Sequence, residues 1–191
     1  RGVRTVSASR IVLLRHGQTD FNMQRRFQGR IDKPLNDAGR SQAAGAAGVL
    51  VSRLCEPSAE VGMIAAETHR SYDDGGVRIV CSPLGRARET ARILARVFDI
   101  AGYPCEGPMP DERLTERFYG TFEGKTYEEI AREQPEAYRV YRDTGECAGA
   151  EVERSEVVGE RFRDAVLEAA AACPADRSLI VVSHGSAIAR G

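Results

Sequence analysis

Two histidines of this sequence stand in the same local setting, directly after a run of aliphatic residues and directly before a glycine. His16 follows the run that begins at Ile11, and His184 follows the run that begins at Leu179. A third run, 78–81, is followed by Arg86. A neutral imidazole is a nucleophile for phosphorus, and guanidinium groups bind phosphate oxygens in a fork while keeping their charge. These residue types, repeated after three aliphatic runs, indicate covalent phosphoryl transfer.

A phosphoryl group in transfer needs positive charge around its equatorial oxygens and accurate positioning, and little else from a protein. Arg15 and Arg86 suit the charge, and His184 adds a further donor to the same oxygens. His16 is the predicted nucleophile. Its second ring nitrogen must then be held by a carbonyl or carboxylate that fixes the tautomer.

The leaving alkoxide also needs a proton, and a positioned acid typically contributes about 10² to 10⁴ in rate. Glu116 lies between Leu114 and a glycine-aromatic turn in the segment "RLTERFYGTFEG". Partial burial near a phosphate dianion raises the pKa of a carboxyl group. We therefore expect Glu116 to be the proton donor, although a glutamate taken alone is more often a solvated surface charge.

The fold must bring these residues together, and the aliphatic runs indicate how. Each run is typical of a strand buried on both faces of a parallel sheet, and each is followed by a helical pattern. Helices are predicted from Asn36, from Ser82 and after His184, with Ser82 as N-cap and Pro83 in the first turn. Carboxyl ends of parallel strands share one sheet edge. The sequence thus predicts an α/β fold that gathers the candidate residues there.

The remaining chain is predicted as helices and surface segments of a single domain, 1–191. Two short helices broken at Pro135 occupy 126–143, and a longer helix occupies 155–172. His69 is interpreted as a surface loop residue. The other predicted segments are a flexible start (about 1–9), a surface insertion (about 55–76), a lid (about 124–150) and a missing C-terminal tail after Gly191.

Composition narrows the functional classes. The 191 residues are 42% hydrophobic and 29% charged, with a net charge of −1, so no basic field for nucleic acid is expected. No apolar run approaches the roughly 20 residues that span a bilayer, so no membrane partner is expected. The five cysteines form no C-x-x-C pair and predict reduced thiols in a cytoplasmic protein.

Five sequence blocks together resemble the histidine phosphatase superfamily, specifically its phosphoglycerate mutase-like branch. They are "LLRHGQTDFN", "RFQGRIDKPLNDAG", "SPLGRARETA", "LTERFYGTFEG" and "VVSHG", and they cover roughly 11–185 in the expected order. The resemblance implies a three-layer α/β/α sandwich with a mostly parallel central sheet and an inserted helical lid. It also implies a phosphohistidine and no cofactor or metal.

Matched position by position, the resemblance assigns the candidate residues to roles. Arg15, Arg86 and His184 are expected to form the phosphate pocket around a phosphorylated His16, with Glu116 as proton donor. Residues expected to bind substrate at the pocket mouth are Asn22, Gln28, Gly29, Tyr119 and Gly185. One block departs from the family: "GAEVERSE" from Gly149 replaces a Gly-Gly-Glu-Ser motif, and Glu151 keeps the acidic position without the serine.

Hydrolysis and mutase chemistry share the phosphohistidine and differ in whether water or a second hydroxyl attacks it. Mutases of the resembled branch carry a long insertion after the Glu-aromatic-Gly block, whereas this chain has only a short two-helix segment there. We therefore expect a phosphomonoester hydrolase acting on a small phosphorylated, anionic metabolite. A cofactor-dependent phosphoglycerate mutase and a weakly catalytic regulatory member of the family are the alternatives.

Other predictions stay open at this level. A metal hydrolase is disfavoured because neither His16 nor His184 belongs to an H-x-x-x-H pair. Three arginines, Arg25, Arg26 and Arg30, either ring the entrance and favour anionic substrates or are ordinary exposed loop residues. Oligomeric state is undecided, with a homodimer through an edge strand as one option.

Overall fold

In this computed structural model, which describes residues 7–55, 75–146 and 148–191, the centre of the protein is a sheet of four parallel strands. Their order across the sheet is first, fourth, second, third. The strands are β1 (Arg10–Arg15), β2 (Val77–Cys81), β3 (Cys105–Pro110) and β4 (Ser178–Ser183).

The helices follow the strands and cover the sheet. Within the described residues, three short 3₁₀ turns lie between β3 and α6: Glu112–Leu114, Gly120–Phe122 and Ala148–Ala150. The α-helices within the described ranges are α1 (Asp20–Met23), α2 (Asp37–Cys55), α3 (Gly85–Ile100), α4 (Tyr127–Glu133), α5 (Pro135–Thr144), α6 (Ser155–Ala172) and α7 (Gly185–Arg190).

The two central strands bury both faces, and their alternate residues enter two separate cores. Ile79 and Ile180 join the core beneath α2 and α3, whereas Val80 and Val181 join the core beneath α6. Successive side chains of a strand point to opposite faces, so one aliphatic run supplies both cores. The result is a sandwich of helices, parallel sheet and helices, which confirms the predicted fold class.

A third, smaller core lies beside the sandwich and is largely aromatic. Phe27 and Phe122 form its centre together with Ile130 of α4, and Tyr138 and Tyr141 of α5 pack against it. This core joins the segment after α1 to the two helices α4 and α5. The helical segment predicted as a lid is therefore packed on Phe27, which precedes α2 in the sequence, and on Phe122, which directly precedes the segment.

Most element predictions are confirmed. Strands lie at all three aliphatic runs, Pro135 begins the second of two short helices, and α6 spans Ser155–Ala172 as expected. The insertion, with His69, lies outside the described residues except at its edges, as do most of the predicted flexible start and the side chains of Cys55 and Cys147. None of the described helices is long and apolar enough to cross a membrane.

Two local predictions are wrong, and one strand was missed. β1 is not buried on both faces: it is an edge strand, with Ile11 39% and Leu13 43% exposed. Ser82 is not an N-cap, because α3 begins at Gly85 and the amide of Gly85 donates instead to Asp32, at 2.7 Å. β3 was not predicted, because its sequence "CEGPMP" carries glycine and prolines, which strands tolerate at an edge.

The core beneath α3 gives a stability prediction. Leu94 is fully buried there, so Leu94→Ala should lower the free energy of unfolding by about 2 to 5 kcal/mol through lost burial and a residual cavity. Val49→Ala on α2, at a side chain 54% exposed, should change it by no more than about 0.5 kcal/mol. Urea denaturation measures both, and equal effects would contradict the assignment of Leu94 to the core.

Candidate active site

Parallel register places the ends of three strands side by side. Arg15 of β1 is opposite Ser183 of β4, and Val182 of β4 is opposite Cys81 of β2. The residues that follow, His16, His184 and Ser82, therefore lie at the same edge of the sheet. The rings of His16 and His184 are 5.0 Å apart between centroids.

The two ring nitrogens of His16 have different partners. Nδ1 is 2.7 Å from the carbonyl oxygen of Gly17, which can only accept a hydrogen bond. Nε of Arg86 donates to Nε2 at 3.3 Å. We therefore assign the proton to Nδ1, which leaves a lone pair on Nε2. Burial, reinforced by the charge of Arg86, lowers the pKa of His16 to about 3, so the imidazole is neutral at pH 7.

Arg86 is a buried cation held by backbone oxygens. Its side chain is 1% exposed, and its terminal nitrogens donate to Gly29 O at 2.7 Å and Ile31 O at 2.9 Å. The carboxylate of Asp32 lies 3.7 Å from Nη1. Burial lowers the pKa of Arg86 to about 10, which still leaves the guanidinium charged at neutral pH. The carbonyls fix the position of the cation without neutralising it.

His184 is fully buried, and its tautomer follows from Ser82. Its Nε2 is 2.7 Å from the Ser82 hydroxyl, which also accepts from the amide of Leu84 at 3.3 Å. The hydroxyl can donate its hydrogen to Nε2, and we assign the ring proton to Nδ1 on that basis. Burial lowers the pKa of His184 well below its usual value, and Nδ1 has no partner among the described residues. A buried donor is thereby left beside His16.

The backbone at His16 is fixed from both sides. The amide of Gly17 donates to the Thr90 hydroxyl of α3 at 3.1 Å. A Cβ on Gly17 would lie 2.2 Å from the carbonyl oxygen of Gly39 in α2, closer than any side chain can approach. Glycine is required at this position because two backbone segments touch there.

Glu116 is directed at the same edge by three backbone amides. Its carboxylate accepts from Arg117 N at 2.8 Å, Ser186 N at 3.2 Å and Ala187 N at 3.0 Å. Burial raises the pKa of Glu116, and the three amides and the charge of Arg86 oppose that rise. The pKa is raised overall, which suits a carboxyl group that holds a proton at moderate pH.

Arg161 of α6 positions the turn that carries Glu116. It donates to Thr115 O at 2.5 Å and to Glu116 O at 3.2 Å, and it pairs with Glu153 at 3.0 Å. Glu151, the acidic residue singled out in the atypical motif, is exposed and has φ 57. Within that motif it is Glu153 that anchors the Glu116 turn.

The candidate residues share a cavity of about 470 Å³. Every predicted site residue except His184 lines it. A larger cavity of about 570 Å³ lies between the end of α3 and β3, and none of the candidates lines it. Within the described part of the chain, no cluster of three or more histidine, cysteine or acidic side chains could hold a metal ion.

Residues predicted at the cavity mouth differ in what they contact. Gly29 contributes the carbonyl that holds Arg86. Gln28 accepts from the Thr19 hydroxyl at 2.7 Å, and its buried Nε2 has no partner in the described ranges. Asn22 accepts from the amide of Thr19 at 3.0 Å and closes the cap of α1. Gln28 therefore offers a buried donor that no described residue occupies.

Sequence reasoning missed the aromatic side of the cavity. Phe27, Tyr127 and Tyr141 line it beside Tyr119. Arg117 lies behind this wall, fully buried, with its guanidinium carbon 5.7 Å from the Tyr119 ring and 5.9 Å from the Tyr141 ring. The aromatic residues were visible in the sequence around 118–141, but no periodicity showed which of them would face one cavity.

The chain belongs to the histidine phosphatase superfamily, branch 1, whose family model matches residues 11–57 and 60–190. The family resemblance noted in the sequence is thereby confirmed. A glucosyl-3-phosphoglycerate phosphatase of Mycobacterium tuberculosis is 32% identical over 189 residues, covering 95% of this chain and 73% of its own. A probable phosphoglycerate mutase of Serratia proteamaculans is 31% identical over 180 residues, covering 93% and 70%.

Solved structures agree in fold. A mycobacterial glucosyl-3-phosphoglycerate phosphatase complexed with VO3 has a TM-score of 0.72 at 33% identity, covering 96% of this chain and 79% of its own. The same phosphatase with inorganic phosphate has a TM-score of 0.68 at 31% identity, covering 96% and 76%.

The hydrogen-bond pattern predicts the tautomers directly. Long-range ¹⁵N–¹H spectra should show His16 and His184 protonated on Nδ1 at neutral pH. Ser82→Ala should shift His184 toward a mixture of tautomers, and Ser82→Thr should restore the single form. Ser52→Ala, at an exposed hydroxyl of α2 that bonds Val49 O, is the matched control.

The same spectra test the lowered pKa of His16. The His16 resonances should remain those of the neutral ring from about pH 7 to about pH 4.5. An ordinary histidine, with a pKa of about 6.5, would become protonated over the same range. Because the folded pKa lies below the unfolded one, the unfolded chain binds this proton first. Stability should therefore fall as pH drops from about 6.5 toward 3. Protonation of His16 near pH 6.5 would contradict the assignment.

Proposed function

We propose that the protein hydrolyses phosphomonoesters of small metabolites through a phosphohistidine at His16. The observation that carries this proposal is a buried, neutral imidazole whose unprotonated Nε2 faces Arg86 at 3.3 Å. Nucleophile and phosphate-binding cation are then adjacent before any substrate arrives. The complexes of the mycobacterial relative with VO3 and with inorganic phosphate support a phosphate site in this fold.

In the first step the transferred phosphoryl group lies between Arg15 and Arg86, with Nδ1–H of His184 donating to an equatorial oxygen. Nε2 of His16 forms a bond to phosphorus as the bond to the leaving oxygen breaks. Glu116, in its protonated form, donates its proton to that oxygen. The products are an alcohol and a phosphohistidine, and the carbonyl of Gly17 still holds Nδ1–H.

In the second step a water molecule attacks phosphorus from the side that the alcohol has vacated. Glu116, now a carboxylate, accepts a proton from this water as its oxygen bonds to phosphorus. The bond from phosphorus to Nε2 breaks and its electron pair returns to the ring. Inorganic phosphate leaves, and His16 and Glu116 are back in their starting protonation states, as general acid and base catalysis requires.

Hydrolysis is preferred over mutase chemistry because of the small size of the segment that covers the cavity. We assign the lid role to α4 and α5, which have 7 and 10 residues. A mutase must exclude water from the phosphohistidine until a second hydroxyl arrives. Mutase activity is the second candidate function because one relative is named as a probable phosphoglycerate mutase.

The phosphohistidine proposal predicts a defined intermediate. Wild-type protein mixed with a ³²P-labelled phosphomonoester and quenched in alkali should carry a label that is stable to base and lost in acid. His16→Ala should neither label nor turn over. Labelling retained in His16→Ala would show that another residue is the nucleophile.

The choice between hydrolase and mutase has its own test. Appreciable formation of 2-phosphoglycerate from 3-phosphoglycerate with a trace of 2,3-bisphosphoglycerate would favour mutase activity.

The role of Glu116 predicts a dependence on the leaving group. Glu116→Gln should reduce kcat/KM, which reports the steps up to release of the alcohol, by about 10² to 10⁴ for an alkyl phosphate, whose alkoxide must be protonated, and far less for p-nitrophenyl phosphate. Since the pKa of Glu116 is raised and the acid form is the active one, wild-type activity on the alkyl ester should fall as pH rises through that pKa. This alkaline limb should be absent in Glu116→Gln.

The matched control is Glu112→Gln, at an exposed carboxylate of the 3₁₀ turn that precedes Glu116. It should leave both substrates and the pH profile unchanged. An equal loss of kcat/KM on both esters in Glu116→Gln would contradict a proton-donor role.

A further inference from the structure

Three arginines follow α1, and they differ in whether an ion pair holds the side chain. Arg26 forms a two-pronged ion pair with Glu129 at 2.6 and 3.1 Å. Arg30 pairs with Glu153 at 3.2 Å. Arg25 has neither a hydrogen bond from its guanidinium nor an ion pair within the described residues, and it lines the same cavity as His16. Only one of the three predicted entrance cations is therefore available to a ligand.

The backbone of Arg25 is held in an uncommon conformation. Its φ is 55°, in the left-handed region that bulky side chains rarely adopt. Its amide donates to Asn22 O at 3.2 Å, directly after the short helix α1. The amide of Arg26 also donates to Phe21 O at 2.9 Å, so Arg25 is the left-handed residue that ends α1 in a Schellman motif. This helix end fixes the backbone from which the Arg25 side chain reaches the wall of the cavity.

The charges along the cavity wall exceed what one phosphate requires. Arg15 and Arg86 are assigned to the transferred group, and Arg26 is neutralised by its partner. Glu128, exposed on α4, is a carboxylate that interacts electrostatically with Arg25, but no ion pair joins the two. Arg25 is thus a surplus positive charge, and a substrate with a second negative group would match it.

The number of available cations favours a carboxylate. The transferred phosphate is met by two arginines and a histidine donor, whereas one guanidinium remains at the mouth. A single guanidinium fork matches a singly charged carboxylate in both charge and geometry. The aromatic wall of Tyr119, Tyr127 and Tyr141 offers an apolar surface for the carbon skeleton between the two groups.

We propose that Arg25 is a specificity-determining residue that binds a carboxylate on the leaving alcohol of the substrate. The inference rests on the proposed hydrolase activity and assigns to Arg25 a role outside the chemical step. An interaction made equally in the bound substrate and in the transition state changes KM and leaves kcat unaltered. The expected signature is therefore a KM effect confined to carboxylated substrates.

The test compares 3-phosphoglycerate with glycerol 3-phosphate, which replaces the carboxylate by a hydroxymethyl group on the same skeleton. Wild-type kcat/KM should be about tenfold higher for the carboxylate. Arg25→Gln should remove that preference through KM and leave glycerol 3-phosphate unchanged, and Arg25→Lys should retain part of it. Arg163→Gln, at an exposed arginine of α6, should behave as wild type.

Contrary outcomes are equally defined. No wild-type preference, or an equal loss on both substrates in Arg25→Gln, would overturn the role of Arg25. A stronger preference for glycerol 1,3-bisphosphate than for 3-phosphoglycerate would overturn the carboxylate assignment. Thermal unfolding of each variant shows whether a loss comes from misfolding instead.

A binding measurement separates this inference from the proposed function. Calorimetric titration of His16→Ala with the same two ligands needs no turnover. If the wild-type protein hydrolyses no member of a wide phosphomonoester panel that includes both esters, the hydrolase proposal fails. Tighter binding of 3-phosphoglycerate that Arg25→Gln abolishes in the His16→Ala background would still support Arg25 as the carboxylate site, and equal affinities would overturn it.

Discussion

The contact between Arg86 and His16 is the interaction on which the candidate site depends. A buried guanidinium donates to the one ring nitrogen that has a free lone pair, and its charge helps to keep that ring neutral. Burial strengthens this arrangement, because desolvation disfavours the protonated ring and a low dielectric strengthens the effect of the neighbouring cation. Burial is therefore part of the chemistry. The carbonyls of Gly29 and Ile31 maintain the buried cation in place.

Much of the candidate site is predictable from sequence because parallel strands run in the same direction and end at one edge of the sheet. Once aliphatic runs are recognised before His16, His184 and Ser82, the shared sheet edge follows and so does their proximity. β4 pairs in unbroken register with β1 as far as Arg15 and with β2 as far as Cys81, so the residues that follow the three strands lie in contact. Glu116 could be named only as one acid in a suggestive segment, since its direction is set by amides of α7, far away in the chain.

The features that sequence reasoning missed depend on long-range contacts or on local exceptions. β3 carries prolines that a central strand would exclude, and its edge position removes the objection. Ser82 has the signature of a helix cap, yet its hydroxyl bonds His184. Arginine is a residue type usually found at the surface, yet Arg117 is buried behind the tyrosines. It is buried because α5 and the chain before α6 pack around it. None of these outcomes is encoded by neighbouring residues alone.

Most of the aromatic wall and the proposed phosphate-binding edge come from different parts of the chain. His16, Arg86 and His184 are scattered over most of the sequence, whereas Tyr119, Tyr127 and Tyr141 lie within the single stretch 119–141. A few codon changes in that stretch would therefore alter which alcohols a gene duplicate accepts. The proposed reactive groups would be inherited intact. A fold divided in this way allows new substrate ranges to evolve without change to the groups proposed to break the bond.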